Sequence, residues 1–257
     1  MSSPLSTSGT ATSHWAQRLA WIGFVLAVLC ALAAVLSGVG YRLGWWHFRT
    51  GFSLLGVAFW GALAAVVISV IGLVMSRATR PRLLLVGLLG AFIGGITAYL
   101  PWSYKHLASS LPYIHDITTD THDPPELIAA AKLRKADDHP VAYDGAEVAA
   151  QQQKAYPDLA PLVTDVPKDQ VFEAARSTLS DMGLEITAAD PTVGRLEAVA
   201  TSLLYGFKDD VAVRIRDTPA GTQVDVRSKS RVGRSDLGMN AKRIRTFLSK
   251  LHAALPH

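Results

Sequence analysis

The first hundred residues are dominated by apolar runs with no polar period in them. Residues 19–41, 52–75 and 83–102 each contain no Asp, Glu, Lys, Arg or His. At 1.5 Å rise per residue, about 20 apolar residues cross a hydrocarbon core of about 30 Å. Three successive runs of this length predict three transmembrane helices rather than buried helices of a soluble core. The first run exceeds the apolar stretch of a cleavable signal peptide and is expected to persist as a helix, although Ala31-Leu32-Ala33 has the small-residue form a peptidase accepts. Short loops, 42–51 and 76–82, join the spans, and residues 1–18 read as a disordered tail.

Beyond residue 102 the apolar run stops. Residues 103–157 mix Pro, Asp, His, Ala and Gln without a sustained period and read as an extended connector, with a short helix starting after Pro124-Pro125. Residues 158–257 carry the pattern of a compact α+β domain. A short strand is expected at 161–166, then a helix at 169–182 with Val171, Ala174, Ala175, Leu179 and Met182 on one stripe and Gly183 as its stop. Strands follow at 184–188, 195–203, 211–216 and 222–232, separated by turn-forming residues. Ser235 or Asp236 is the expected cap of a last helix whose stripe is Leu237, Ala241, Ile244, Phe247, Leu248 and Leu251. The predicted order is β-α-β-β-β-β-α, an antiparallel sheet with two helices packed on one face.

Charge divides the chain more sharply than its overall balance of +4 suggests. Residues 1–115 contain no acid and seven Lys or Arg, residues 116–210 hold eighteen acids against eight Lys or Arg, and residues 211–257 hold three acids against ten. Arg77, Arg80 and Arg82 crowd the second loop. With Arg18 they outnumber Arg42, Arg49 and Lys105 on the other side, so the positive-inside rule places the N-terminus in the cytoplasm and the C-terminal domain outside it. Trp15, Trp21, Trp45, Trp46 and Trp102 lie near span ends, where an indole favours the headgroup zone. Gly90 and Gly94 have the GxxxG spacing of a close helix contact, within the bundle or between copies. Spans without charge argue against an ion or proton pathway. The one cysteine, Cys30, lies in the first span and excludes an internal disulfide.

Strand alternation sorts the domain's charges. Val211, Val213, Ile215, Val224 and Val226 should face the helices, which puts Arg214, Arg216, Arg227, Lys229 and Arg231 on the opposite face with Asp210 and Asp225. Such a face is either solvated or meets an anionic partner: lipid headgroups, another protein or the acidic connector of the same chain. Arg214, Arg227, Arg231, Arg234 and Arg243 are the candidate anion or partner contacts. In the connector, His115, Asp116, Asp120 and His122 offer donors for Zn or Mn. Their spacing matches no closed site, and Asp and Thr before Pro make local turns, so no metal or cofactor is expected.

Residues 205–243 contain a distinctive text. It reads Gly206-Phe207-Lys208-Asp209-Asp210, then Arg227-Ser228-Lys229-Ser230-Arg231-Val232-Gly233-Arg234-Ser235-Asp236-Leu237-Gly238, with Asn240 and Arg243 following. This resembles the domain-of-unknown-function 1499 family, over about residues 112–257. The resemblance implies a bacterial envelope protein and supplies no reaction. The family commonly has a cysteine near the domain entrance, and residues 115–125 have none. Asp209, Asp210, Ser228, Ser230, Ser235, Asp236 and Asn240 are the candidate signature residues. Physically, Gly206, Gly233 and Gly238 suit tight turns, Asp209 and Asp210 are positioned to pair with Arg227 or Arg231, and Ser228 and Ser230 to hydrogen-bond buried backbone.

No catalytic constellation emerges. Ser228 and Lys229 are adjacent and must point to opposite faces, as must Asp209 and Asp210. The domain's histidines, His252 and His257, lie at its C-terminal end, a poor place for a supported general base. The sequence therefore favours a non-enzymatic binding or scaffolding module on a bacterial inner membrane. Its expected partners are the bilayer, through three spans, and an anionic lipid, a cell-wall component or a protein. A tethered hydrolase or transferase and a structural subunit of a membrane complex are the alternatives. Nucleic acid is not expected, because no aromatic stacking platform accompanies the basic block.

Overall fold

The computed structural model describes residues 8–76 and 81–256. It divides into two compact units, the first reaching His106 and including Leu204–Gly206, the second comprising Leu107–Leu203 and Phe207 onward.

The first unit is built on helices α1 (Ser8–Arg42), α2 (Phe48–Ser76) and α3 (Pro81–Ser110). Each holds a stretch long and apolar enough to cross a membrane: His14–Arg42, Phe48–Met75 and Pro81–Ser110. Helix α1 starts at Ser8, so the tail read as residues 1–18 is helical over its second half; a polar segment continues a helix at little cost once the apolar turns below it have nucleated it. Small side chains fill the interior, including Ala20, Ala27, Ala62, Ala65 and Ala98, while Leu29, Val35, Trp60, Phe92 and Leu100 point outward. This inversion of large and small residues is what lipid-facing helices require, because tails are as apolar as Leu and close backbone approach supplies the packing. Gly90 and Gly94 face the bundle interior. A Cβ at Gly90 would meet Ser69 and lie 2.9 Å from Phe24 Cα, and one at Gly94 would lie 3.0 Å from the Ala62 carbonyl oxygen. Of the two contacts their spacing suggested, they make the one within the bundle. The loop cations Arg77 and Arg80 lie outside the described residues.

The second unit is α+β, with strands β1 (Asp116–Thr118), β2 (Leu162–Thr164), β3 (Glu185–Asp190), β4 (Arg195–Thr201), β5 (Lys208–Thr218) and β6 (Gly221–Ser230). Helices α4 (Ala129–Leu133) and α5 (Ala146–Ala155) precede β2, α6 (Lys168–Asp181) follows it, and α7 (Met239–Ala254) closes the unit. The meander β3-β4-β5-β6 is antiparallel throughout, and β1 and β2 both pair with β6 along its outer edge. Val171, Leu179, Ile244, Phe247 and Leu251 of α6 and α7 pack on Leu196, Val211, Val213, Ile215, Val224 and Val226, forming one core on one face of the sheet.

The segment read as an extended connector is folded. Helix α3 continues to Ser110, β1 adds a strand to the sheet, and residues 119–145 cross the face opposite the core. A small apolar contact, Leu127, Ala130 and Val141 on Ala212, is part of what holds this wrap; the rest is charge and backbone polarity, to which hydrophobic periodicity is blind. Its outer edge is satisfied locally: Gln152 of α5, 2% exposed, accepts from Thr118 N at 2.9 Å and donates to Thr118 O at 2.7 Å, replacing a neighbouring strand.

Candidate functional site

The signature residues fall on both faces of β5 and β6. On the wrapped face, strand alternation aims Asp210, Asp225, Arg227, Lys229 and Arg231 away from the apolar core, and all five are buried. Burial of so many charges requires near-complete pairing. Asp116, opposite Lys229 in the β1–β6 register, accepts both Nε and Nη2 of Arg227, at 2.9 and 2.8 Å. Its Oδ2 also lies 3.2 Å from Lys229 Nζ. Lys229, 0% exposed, donates to Ala142 O at 2.6 Å and to Asp144 Oδ1 at 2.5 Å. Arg227 further donates to Pro125 O and Val141 O and lies over the Tyr143 ring. These are the wrap's own carbonyls and carboxylates. The anion that meets Arg227 and Lys229 is the acidic segment of the same chain.

The same pattern repeats along the face. Asp210 receives Arg231 at 2.7 Å and Arg134 of the wrap at 2.8 Å, and Arg134 also reaches the His139 carbonyl. Arg214 and Arg216 converge on Asp120, Asp123 and Asp225 at 2.9–3.4 Å. Glu197 of β4, 1% exposed, accepts the N–H groups of Ile128, Ala129 and Ala130 at 2.9–3.0 Å. A helix start leaves unpaired N–H groups, and a carboxylate from the sheet supplies the acceptor. His115 and His139 stack with centroids 4.1 Å apart, and His115 Nε2 lies 3.4 Å from Asp144.

On the core face, next to α7, hydroxyls and an amide form a second network. Ser228 donates to Asn240 Oδ1 at 2.7 Å, and Asn240 Nδ2 donates to Ser230 Oγ at 3.1 Å and to the His115 carbonyl at 3.0 Å. Arg243 donates to Ser228, to Asn240 and, at 2.7 Å, to Asp209. The serines thus bond the Asn240 side chain rather than backbone, and Asp209 pairs with Arg243 while Asp210 pairs with Arg231. Helix α7 begins one turn later than Ser235 or Asp236 would set it. Gly238, at φ 74°, is its N-terminal boundary residue, and Asp236 accepts from Gly238 N and Asn240 N at 2.9 and 2.8 Å. Leu237 is also left-handed, at φ 54°; two consecutive left-handed residues re-aim the chain, and only Asp236, set back before them, reaches the helix N–H groups. Arg234 is exposed on this turn.

Ionisation follows burial. Burial pushes the Asp236 carboxyl up, against the hydrogen bonds from Asn240 and Gly238. Burial beside Asp116 pushes Tyr143 up to about 12. Burial, then the neighbouring His139, hold His115 below the usual histidine range. For Asp120 burial acts upward, but the Asp123 and His122 N–H groups with Arg214 and Arg216 prevail and leave it lowered. Among the described residues no three His, Cys, Asp or Glu side chains converge as a metal site; Asp116 is held by Arg227 and Lys229, Asp120 by its own turn and two arginines, and His115 by the stack on His139.

The sequence offered the acidic connector as one of three partners for this face, but not the groups that do the pairing: Asp116 in its present role, Arg134, Asp144 and Tyr143, nor Gln152 and Glu197, which hold the wrap's own backbone. The acidic bias of residues 116–210 was the available signal, since a chain with a basic sheet face and an acidic arm can close on itself.

These features define a class: three membrane-capable helices followed by an α+β unit whose charged sheet face is closed by its own N-terminal wrap. The family described as Protein of unknown function (DUF1499) matches residues 116–251, more than half of the chain, and the protein belongs to that family. The match starts at the first residue of β1, so the wrap, sheet, α6 and most of α7 form the family unit and the three long helices lie outside it. No curated protein matches the chain.

Proposed function

We propose that the chain is a membrane-anchored, non-enzymatic binding or scaffolding module of the bacterial cell envelope, its C-terminal unit facing away from the cytoplasm. One observation carries the non-enzymatic reading: the groups best suited to chemistry are engaged with one another. Lys229 has Asp116, Asp144 and the Ala142 carbonyl around its ammonium. Ser228 is locked between Asn240 and Arg243. A nucleophile or general base needs reach to a substrate atom, and these side chains are committed to holding two layers together. The orientation rests on the distribution of loop cations in the sequence.

Two experiments test this. Reporter fusions after His257, one active outside the cytoplasm and one inside, should give signal from the first only; the reverse overturns the orientation. Esterase- and phosphatase-directed activity probes on the full-length protein should give no labelling that depends on Ser228 or Asp210. Labelling abolished by Ser228→Ala or Asp210→Asn, with the fold retained, would establish the hydrolase alternative.

A further inference from the structure

The two ends of the meander differ in how far an apolar side chain stands out of them, Val193 being 55% exposed at one and Leu203 90% at the other. At one end, the β3–β4 turn is Pro191-Thr192-Val193-Gly194 and the β5–β6 turn follows Asp217-Thr218. Asp190 there accepts from Thr192 and Val193, as in an ordinary solvated turn. At the other end, the β4–β5 loop is closed by two hydrogen bonds, Ser202 N to Phe207 O at 2.8 Å and Phe207 N to Ser202 Oγ at 2.9 Å. This closed loop presents Leu203 at 90% exposure, more than any other large hydrophobic side chain among the described residues. Met239 at the start of α7 is 50% exposed and lines a groove with Thr201, two residues before Leu203. Met182 lines the same open groove, of about 260 Å³, with Lys242 on its rim. An exposed apolar cluster beside a cation is the composition of a surface that rests in the headgroup zone.

Geometry of the chain supplies the occupant. Only residues 111–115 separate the end of α3 from β1. A fully extended peptide spans at most about 3.6 Å per residue, so this tether reaches about 18 Å, and it enters β1 at Asp116, whose register partner Lys229 pairs with Asp210 at the β4–β5 end of the sheet. We infer that the end of the sheet bearing Leu203 and Met239 is a membrane-contacting surface, with Leu203 inserted at the acyl–headgroup boundary. The inference rests on the membrane-anchored part of the proposed function and is independent of which way the chain faces and of whether it has an activity.

The test uses the full-length chain with Cys30→Ala in lipid nanodiscs. A single cysteine is placed by Leu203→Cys or, at the opposite end of the sheet, by Val193→Cys, and labelled with an environment-sensitive fluorophore. Insertion gives a blue-shifted emission at position 203 and quenching by headgroup-proximal doxyl lipids well above that at position 193. Equal emission and equal quenching at the two positions overturn the inference. So does shielding at 203 that disappears when labelled protein is diluted with unlabelled chain, which assigns the patch to a second copy. Met239→Cys is the second reporter: quenching there should match position 203, and lack of it at both refutes a shared surface even if one variant folds poorly. A reversed topology reporter changes none of these outcomes, so the two ideas fail separately.

Discussion

The two faces of the β5–β6 ribbon are built from alternate residues of the same strands and are stabilised by opposite means. Toward α6 and α7, Val211, Val213, Ile215, Val224 and Val226 lose contact with water against Phe247, Leu251 and their neighbours. Burial of this kind is non-directional and tolerates substitutions that conserve volume. Toward the wrap, Asp210, Asp225, Arg227, Lys229 and Arg231 are as deeply buried, yet each depends on a specific counter-charge. Desolvated ions contribute little net stability while complete and a large penalty once one partner is gone. One face therefore degrades gradually under mutation and the other in steps.

The sharpest test of that contrast is Asp116. Asp116→Ala leaves Arg227 and Lys229 buried with their shared carboxylate missing, and loss of one partner from a buried pair costs about 3–5 kcal/mol. Hydrogen exchange on the full-length protein should show β1 and the wrap losing protection before α7. Lys229→Met in the same background should recover part of the loss, because it removes one of the stranded charges. A double variant no better than Asp116→Ala would break the account of the ionic face. On the apolar face, Leu251→Ala should cost about 2–5 kcal/mol, with protection lost in α6, α7 and the sheet together and with little dependence on pH.

A smaller effect separates the faces by pH. The fold holds His115 below its ordinary value through burial, then His139 and Lys229, against Asp144 and Asp116. A histidine lowered in the folded state binds protons more weakly there than when unfolded. Its contribution is thus complete above the unfolded pKa of about 6.5 and is lost as pH falls from there through the folded value. The thermal stability of the wrap should fall as pH drops through that window, by less than either substitution above, and His115→Asn should flatten the slope. Asp120, whose pKa is lowered, acts only in a more acidic window. An unchanged slope in His115→Asn would move the pH dependence to another group.

The unequal legibility of the two faces has the same origin. Period-two alternation in 211–216 and 222–232 identifies which side chains enter the core, because that face needs only apolarity at every second position. It also puts Arg227, Lys229 and Arg231 together on the other side. It does not identify Asp116, Asp144 or the carbonyls of Pro125, Val141 and Ala142 as their partners, since pairing between charges of the same chain leaves no period. Glu197 is the extreme case: a lone acid in an apolar strand, legible as a strand residue, whose role as acceptor for three N–H groups of α4 exists only once the wrap has crossed β4. The three long helices were legible for the converse reason, that one property, length without charge, suffices to define them.

The smallest expected effect marks where the ionic argument ends. Arg245 and Asp158 form a bidentate pair at 2.6 and 2.7 Å, shorter than most contacts under the wrap. Both side chains are exposed, at 42% and 55%. The hydrogen bond from Arg245 holds the Asp158 carboxyl below the usual range, but solvent screens the pair, and exposed ion pairs of good geometry are worth about 0–1 kcal/mol. Asp158→Asn should therefore shift the unfolding midpoint barely, and added salt should erase the difference. If it cost as much as Asp116→Ala, short distance rather than burial would govern these pairs, and the distinction between the closed sheet face and the open surface would lose its physical basis.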